Sequence, residues 1–228
     1  MRDLVKPHLS AAIVDHHTHR GRVARLLADL GYKETAAEIA TRLPQSDRAR
    51  KGNFGEVVAS EHLCQRHGYA MPVFKLRFRD HQNLPMRGED IVAFATAVNG
   101  TITKVCIGEA KTLVTFAGQT VISAHERLEK TYRPTPETLH MIAEILYDRG
   151  NVELAHEMDL ILQRLAAKAI ERENWIFVIT DNAPADPFGD IEALQTVVPN
   201  LHCVNLRLPG LSQFVTNLFE HPQIAGLV

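Results

Sequence analysis

The residues best equipped for chemistry are Asp90, in the run Arg87-Gly88-Glu89-Asp90, and Glu109 with Lys111, in Gly108-Glu109-Ala110-Lys111. Paired carboxylates offer the hard oxygen ligands that Mg²⁺ prefers. A lysine beside them is a compact cation on a flexible stem, able to orient an attacking water or to offset charge growing in a transition state. Together they suit phosphodiester hydrolysis, which needs an activated water, charge relief on the phosphate oxygens and help for the departing oxygen. Glu-x-Lys alone says little, because a chain of this length holds such a triplet about once by chance. Its position says more: it is the only such triplet here, and it closes an apolar run.

The acids sit at the two ends of a predicted hairpin. Asn99-Gly100 between apolar runs is the signature of a two-residue type I′ turn. With Val98 facing Thr101, the register pairs Ala97 with Ile102, Phe94 with Val105, Val92 with Ile107 and Asp90 with Glu109. Directly opposed residues carry their Cβ atoms about 4.5–5.5 Å apart, so two carboxylates there repel unless a third party intervenes. Lys111, two positions beyond Glu109, falls on the same face. A bulge or a longer loop would slip the register by one residue and send the acids to opposite faces.

Around this hairpin the chain reads as an α/β domain. Two short helices are expected over 21–43, on either side of Gly31, with Pro44 closing the second. The polar stretch from Leu43 to Asn53 makes the boundary between an N-terminal helical segment, 1–50, and the main domain, 51–228. A helix over 53–67, ended by Gly68, precedes strands over 72–79, 90–98 and 101–111. Helices over 119–130, 137–149 and 152–173 follow, then strands at Trp175–Asp181 and His202–Leu208 with a short helix near 191–194. A hairpin beside crossover-linked strands gives a mixed central sheet flanked by helices.

Composition narrows the function classes. With 45% apolar and 23% charged residues in 228, the chain belongs with globular proteins rather than disordered or fibrous ones. It has no apolar run near the roughly 18 residues of a membrane span, and its start lacks the apolar core of a secretory signal. A cytoplasmic location is expected. Cys64, Cys106 and Cys203 are odd in number and scattered, which suggests neither a disulfide framework nor a thiolate zinc site. A net charge of −2 argues against coating nucleic acid over the whole surface but leaves local basic patches open. The best patch is the alternation of Phe74, Leu76 and Phe78 with Lys75, Arg77 and Arg79, expected as a strand with one apolar and one cationic face. That face suits phosphate contacts, or simply discourages edge pairing.

The motifs resemble the PD-(D/E)XK nucleases, whose core runs helix, three strands, helix, strand, with an acid in the second strand and Glu-x-Lys in the third. Asp90 and Glu109-Ala110-Lys111 match those places; Glu89 stands where the pattern has proline. Glu56, in Gly52-Asn53-Phe54-Gly55-Glu56, matches a glutamate that the family often adds from the preceding helix. More closely, the stretch from Lys51 to Lys111 resembles the HamA family, nuclease subunits of the Hachiman anti-phage defence system. The resemblance implies Mg²⁺, with Mn²⁺ as a substitute, held by Asp90, Glu109 and the Ala110 carbonyl, where it would polarise the phosphate and acidify the attacking water. Catalytic roles would fall to Glu56, Asp90, Glu109 and Lys111, with Glu56 holding a water ligand or helping a second metal. As a helix-start residue, Glu56 could instead serve only the helix dipole. Lys75, Arg77, Arg79 and Arg87 would contact DNA phosphates without reading bases. Gln119, at the start of the next helix, matches a place where some members contact DNA, although an ordinary exposed helix residue also explains it. A HamB-like helicase subunit is the implied partner. The alternative is a non-catalytic DNA-binding or adaptor protein on a degenerate nuclease fold.

Two rival motifs are weaker. Asp15, His17 and His19 resemble the Asp-x-His-x-His metal motif of amidohydrolase-like barrels, but helices follow rather than strand-helix repeats, so a solvated His-rich loop is expected. The run from Leu26 to Leu43 could be a helix-turn-helix DNA reader, yet its second helix carries Glu34 and Glu38 and little positive charge near its start.

Overall fold

The computed structural model describes residues 2–79, 81–84, 88–130, 136–194 and 197–220. In chain order the elements are α1 (Arg2–His17), α2 (Arg20–Leu30), α3 (Tyr32–Ala40), α4 (Asp47–His67), a 3₁₀ turn (Lys75–Phe78), β1 (Ile91–Thr96), β2 (Ile102–Leu113) and α5 (Gly118–Lys130). They continue with α6 (Pro136–Asp148), α7 (Val152–Ala166), β3 (Glu171–Thr180), α8 (Gly189–Glu192), β4 (Leu201–Arg207) and α9 (Leu211–Glu220). Two compact units result: one of Met1–Val58, Phe74–Met86 and Gly210–Val228, the other of Ala59–Val73 and Arg87–Pro209.

The second unit holds the sheet, in the order β1-β2-β3-β4. β1 and β2 are antiparallel, while β3 runs parallel to both β2 and β4. Period-two alternation sends Val92, Phe94, Val105, Ile107, Ile176 and Val178 to one face. There they pack against Val121, Ala124 and Leu128 of α5 and the apolar stripes of α6 and α7. Ile91, Ala93, Cys106, Trp175 and Phe177 take the other face, against Tyr69 and the α4 residues Ala59 and Leu63. Covered on both sides, β3 is buried continuously from Asn174 to Thr180, which is why its sequence reads as one apolar run.

The first unit is helical. Val14 of α1, Val23 of α2 and Ile39 of α3 form its small apolar centre, and Gly31, at φ +80°, makes the sharp corner between α2 and α3. Phe54 of α4 meets Phe214 of α9 edge to face, with centroids 6.2 Å apart. Among the described residues no helix is long and apolar enough to cross a membrane.

Several sequence expectations need correction. The strand over 72–79 is absent: Lys75–Phe78 is a 3₁₀ turn, and among the described residues one bridge, Ala70 to Phe94, is all that pairs with the outer edge of β1. Pro72 has no N–H to donate to a ladder, and Lys75 and Leu76 are both buried, so the run has no solvated cationic face. α4 starts at Asp47 within the stretch expected to be a polar linker, which places Glu56 in mid-helix, away from the dipole end assumed for it. α1 extends to His17, and His16 and His17 are buried rather than solvated, while His19 is exposed at the start of α2. α7 stops at Ala166, short of residue 173, and β3 begins at Glu171 after Lys168 takes a left-handed φ of 53°. α9 went unforeseen although Leu211, Val215, Leu218 and Phe219 have helical spacing.

Candidate active site

Asp90 lies one residue before β1, and Glu109 lies within β2. The ladder pairs Ile91 with Gly108 and Val92 with Ile107, so the next step outward sets Asp90 against Glu109. Phe94 spends its N–H and C=O on Ala70, at 2.9 and 2.8 Å. Alternation therefore gives Ile91 and Ala93 to β2, and turns the main chain of Gly108 and Ala110 towards β1. β1 has ended where Ala110 needs a partner, and Asp90 Oδ2 accepts its N–H at 3.0 Å. The sequence makes this close packing possible at Gly108, where a Cβ would come within 3.1 Å of Ile91 Cδ1.

The acid pair is ringed by cations. Lys111 Nζ donates to Glu109 Oε2 at 3.0 Å. From α5, Arg127 Nη1 reaches Glu109 Oε2 at 3.3 Å and Asp90 Oδ1 at 3.9 Å, while Nη2 donates to Gly88 O at 3.2 Å. The Glu109 side chain is only 3% exposed and Arg127 is 49% exposed, so a buried acid is served by a cation with one side in water. Burial first, and the Asp90 charge second, push the Glu109 carboxyl up to about 7; Lys111 and Arg127 oppose this without cancelling it. Glu89, the residue standing in place of proline, points elsewhere: it is buried and accepts from the Thr138 hydroxyl of α6 at 2.7 Å.

The residues that set this geometry belong to a chain that matches the HamA family model from residue 2 to residue 221. The protein is a member of the HamA family. It is 30% identical over 184 residues to the Hachiman protein HamA of Bacillus cereus, an alignment covering 78% of this chain and 65% of that protein. The alignment thus spans a little under two thirds of the relative's length. The HamA match takes in both compact units, well beyond the stretch from Lys51 to Lys111 that carried the motif resemblance.

Of the residues expected to serve a HamA-type site, Asp90, Glu109, Ala110 and Lys111 come together at one end of the hairpin. Glu56 belongs to the first unit, is half-buried on α4, and exerts its charge on Arg79. Lys75, Arg77 and Arg79 do not form the shared exposed face expected of them. Lys75 is 5% exposed, Arg77 is held by Asp15 at 2.9 Å, and Arg79 Nη1 lies on Asn53 Oδ1. Arg87 falls outside the described residues, and Gln119 is an exposed residue in the first turn of α5. Among the described residues no three His, Cys, Asp or Glu side chains converge as a metal cluster.

Arg127 was missed by sequence reading. Its signal was present: α5 follows the hairpin, Val121, Ala124 and Leu128 mark its sheet-facing side, and Arg127 is the one cation adjoining that stripe before Lys130. What the sequence lacked was the face of the hairpin that α5 covers.

Proposed function

We propose that this HamA-family protein is a divalent-metal-dependent DNA nuclease of a Hachiman anti-phage defence system, working with a helicase subunit. The observation that carries the reading is the burial of Glu109 opposite Asp90 with one guanidinium nitrogen reaching both acids. Such a pair is costly unless a cation compensates it, and the Arg127 guanidinium marks where positive charge is favoured. The donor set fits Mg²⁺: two carboxylates, which are hard oxygen donors, with the Ala110 main chain turned to the same side. When bound there, Mg²⁺ would neutralise the pair and polarise a phosphate oxygen.

The chain's own residues supply the rest. Asp90, tied to Ala110 N, is fixed in orientation. Lys111 leans on Glu109 and, at 20% side-chain exposure, can shift its ammonium towards a phosphate oxygen or the water that attacks it. Arg127, when displaced from the acids, becomes a phosphate clamp on the α5 side.

The test is DNA degradation with Mg²⁺, with and without the helicase subunit and ATP. Asp90→Ala, Glu109→Ala and Lys111→Ala should each abolish it while leaving circular dichroism unchanged. Undiminished cleavage by all three variants dismisses the site. The two cations on the acids also favour a second reading, a structural ion cluster in a non-catalytic adaptor. No cleavage and no Mn²⁺ binding by the wild type, alone or with its partner, would select it.

A further inference from the structure

The first unit holds a cleft of about 390 Å³ lined by His17, Arg42, Leu76, Arg77, Arg79 and His81, with no acidic side chain among the described residues of its wall. A wall with three guanidinium groups and one apolar side chain is built for an anion rather than a hydrophobic ligand.

Among the described residues the surrounding ion pairs do not neutralise it. Asp15 is shared between Arg20 and Arg77, at 2.8 and 2.9 Å. Glu38 is shared between Arg22 and Arg42, at 3.4 and 3.1 Å. Two carboxylates thus serve four guanidinium groups. Arg79 is the fifth, and among the described residues its hydrogen bonds go to neutral oxygens, on Leu76, Asn53 and Gln82. Burial holds its pKa below the usual arginine value, with the Glu56 charge opposing. Arg42 Nε is buried with no hydrogen-bond partner among the described residues. An orphaned donor on a charged group is costly.

We infer that this cleft is a binding site for a phosphate monoester. A monoester carries about −1.5 to −2 charge at neutral pH and three strong acceptor oxygens, which matches the excess positive charge of the ion pairs and the planar forks of Arg42, Arg77 and Arg79. A backbone diester, with a single charge, matches it less well. The ligand is either the terminal phosphate of a nucleic acid or a free phosphate compound. The assignment does not depend on the acid pair, which lies in the other unit.

The experiment uses the full chain in EDTA, so that no cleavage occurs. Fluorescence anisotropy compares a single-stranded oligonucleotide bearing a 5′-phosphate with the same strand bearing a 5′-hydroxyl; AMP and inorganic phosphate are added as competitors and as ligands in thermal melts. The 5′-phosphate strand should bind about tenfold more tightly, and Arg79→Gln and Arg42→Gln should each erase most of that preference. If AMP and phosphate compete at micromolar concentration and raise the melting temperature, the site takes free phosphate compounds. If they do neither while the strand preference persists, it takes nucleic-acid ends. Equal binding of the two strands together with no effect of AMP or phosphate on wild-type stability overturns the inference. A preference that survives in a folded Arg42→Gln or Arg79→Gln protein overturns it too, and the wild-type comparison decides even if a variant fails to fold.

Discussion

Arg127 Nη1 lies 3.3 Å from Glu109 Oε2, joining a half-exposed guanidinium on α5 to a carboxylate that is almost wholly buried on β2. The same nitrogen is 3.9 Å from Asp90 Oδ1. The guanidinium therefore occupies the place of a counter-cation for both acids, and a divalent metal would compete with it for the same oxygens. Arg127→Met should lower the melting temperature of the metal-free protein by roughly 2–4 °C, the shift expected of about 1 kcal/mol in a chain of this size. It should also tighten Mn²⁺ binding a few-fold by calorimetry. Weaker Mn²⁺ binding in this variant would mean that Arg127 helps to build the site rather than filling it in the absence of metal.

The Glu109 carboxyl, pushed up to about 7 by burial and by Asp90, makes stability depend on pH in a direction that can be worked out. An unfolded glutamate titrates near 4.3. Between that value and 7 the folded protein binds more protons at this position than the unfolded chain, so this contribution to stability is complete below about 4.3 and is lost as pH rises through 7. In EDTA, Glu109→Gln should melt several degrees above wild type at pH 8, and the two should converge towards pH 5. Saturating Mg²⁺ should raise the wild type at pH 8 and leave the variant unmoved. A gap that widens as pH falls would contradict the assignment.

The register that brings the acids together was legible in the sequence for a reason that sequence reading alone could not supply. The loop has three residues rather than two: Ala97 N–H donates to Thr101 O, Gly100 N–H donates to Ala97 O, and only Gly100, at φ +84°, is left-handed. Asn99 keeps a negative φ, so the expected type I′ turn does not form. That longer loop shifts the pairing by one, as Thr96 opposite Ile102 shows, and by itself it would have sent Glu109 to the wrong face. A bulge at Thr103 then shifts it back, so that Ala95 meets Lys104 and Phe94 meets Val105. Thr103 Oγ1 donates to Ala95 O at 3.1 Å across the irregularity. Two displacements of opposite sign cancel before Asp90. The helices of strong apolar period, α5 and α6, were equally readable, because local spacing fixes them. Arg77 was not: its alternation with apolar neighbours fits a strand, whereas it lies in a 3₁₀ turn and is held by Asp15, 62 residues away in sequence.

Asp90 combines a structural bond with a charge, and two substitutions separate them. Its Oδ2 accepts the Ala110 N–H at 3.0 Å, which takes over where the β1 ladder stops. Asp90→Asn keeps an oxygen for that N–H and removes the charge; Asp90→Ala removes both and leaves a main-chain donor without its partner, at a cost of roughly 1–3 kcal/mol. The asparagine variant should therefore melt at or above the wild-type temperature in EDTA, since the repulsion on Glu109 is gone, whereas the alanine variant should melt lower. Both should lose Mn²⁺ binding by at least tenfold, because a hard divalent ion needs the anionic oxygen rather than an amide. If the asparagine variant still binds Mn²⁺ like wild type, Asp90 is a strand-end cap and not a ligand. If both variants melt together below wild type, the charge itself holds the hairpin end, and the cation arrangement around Glu109 is there for stability.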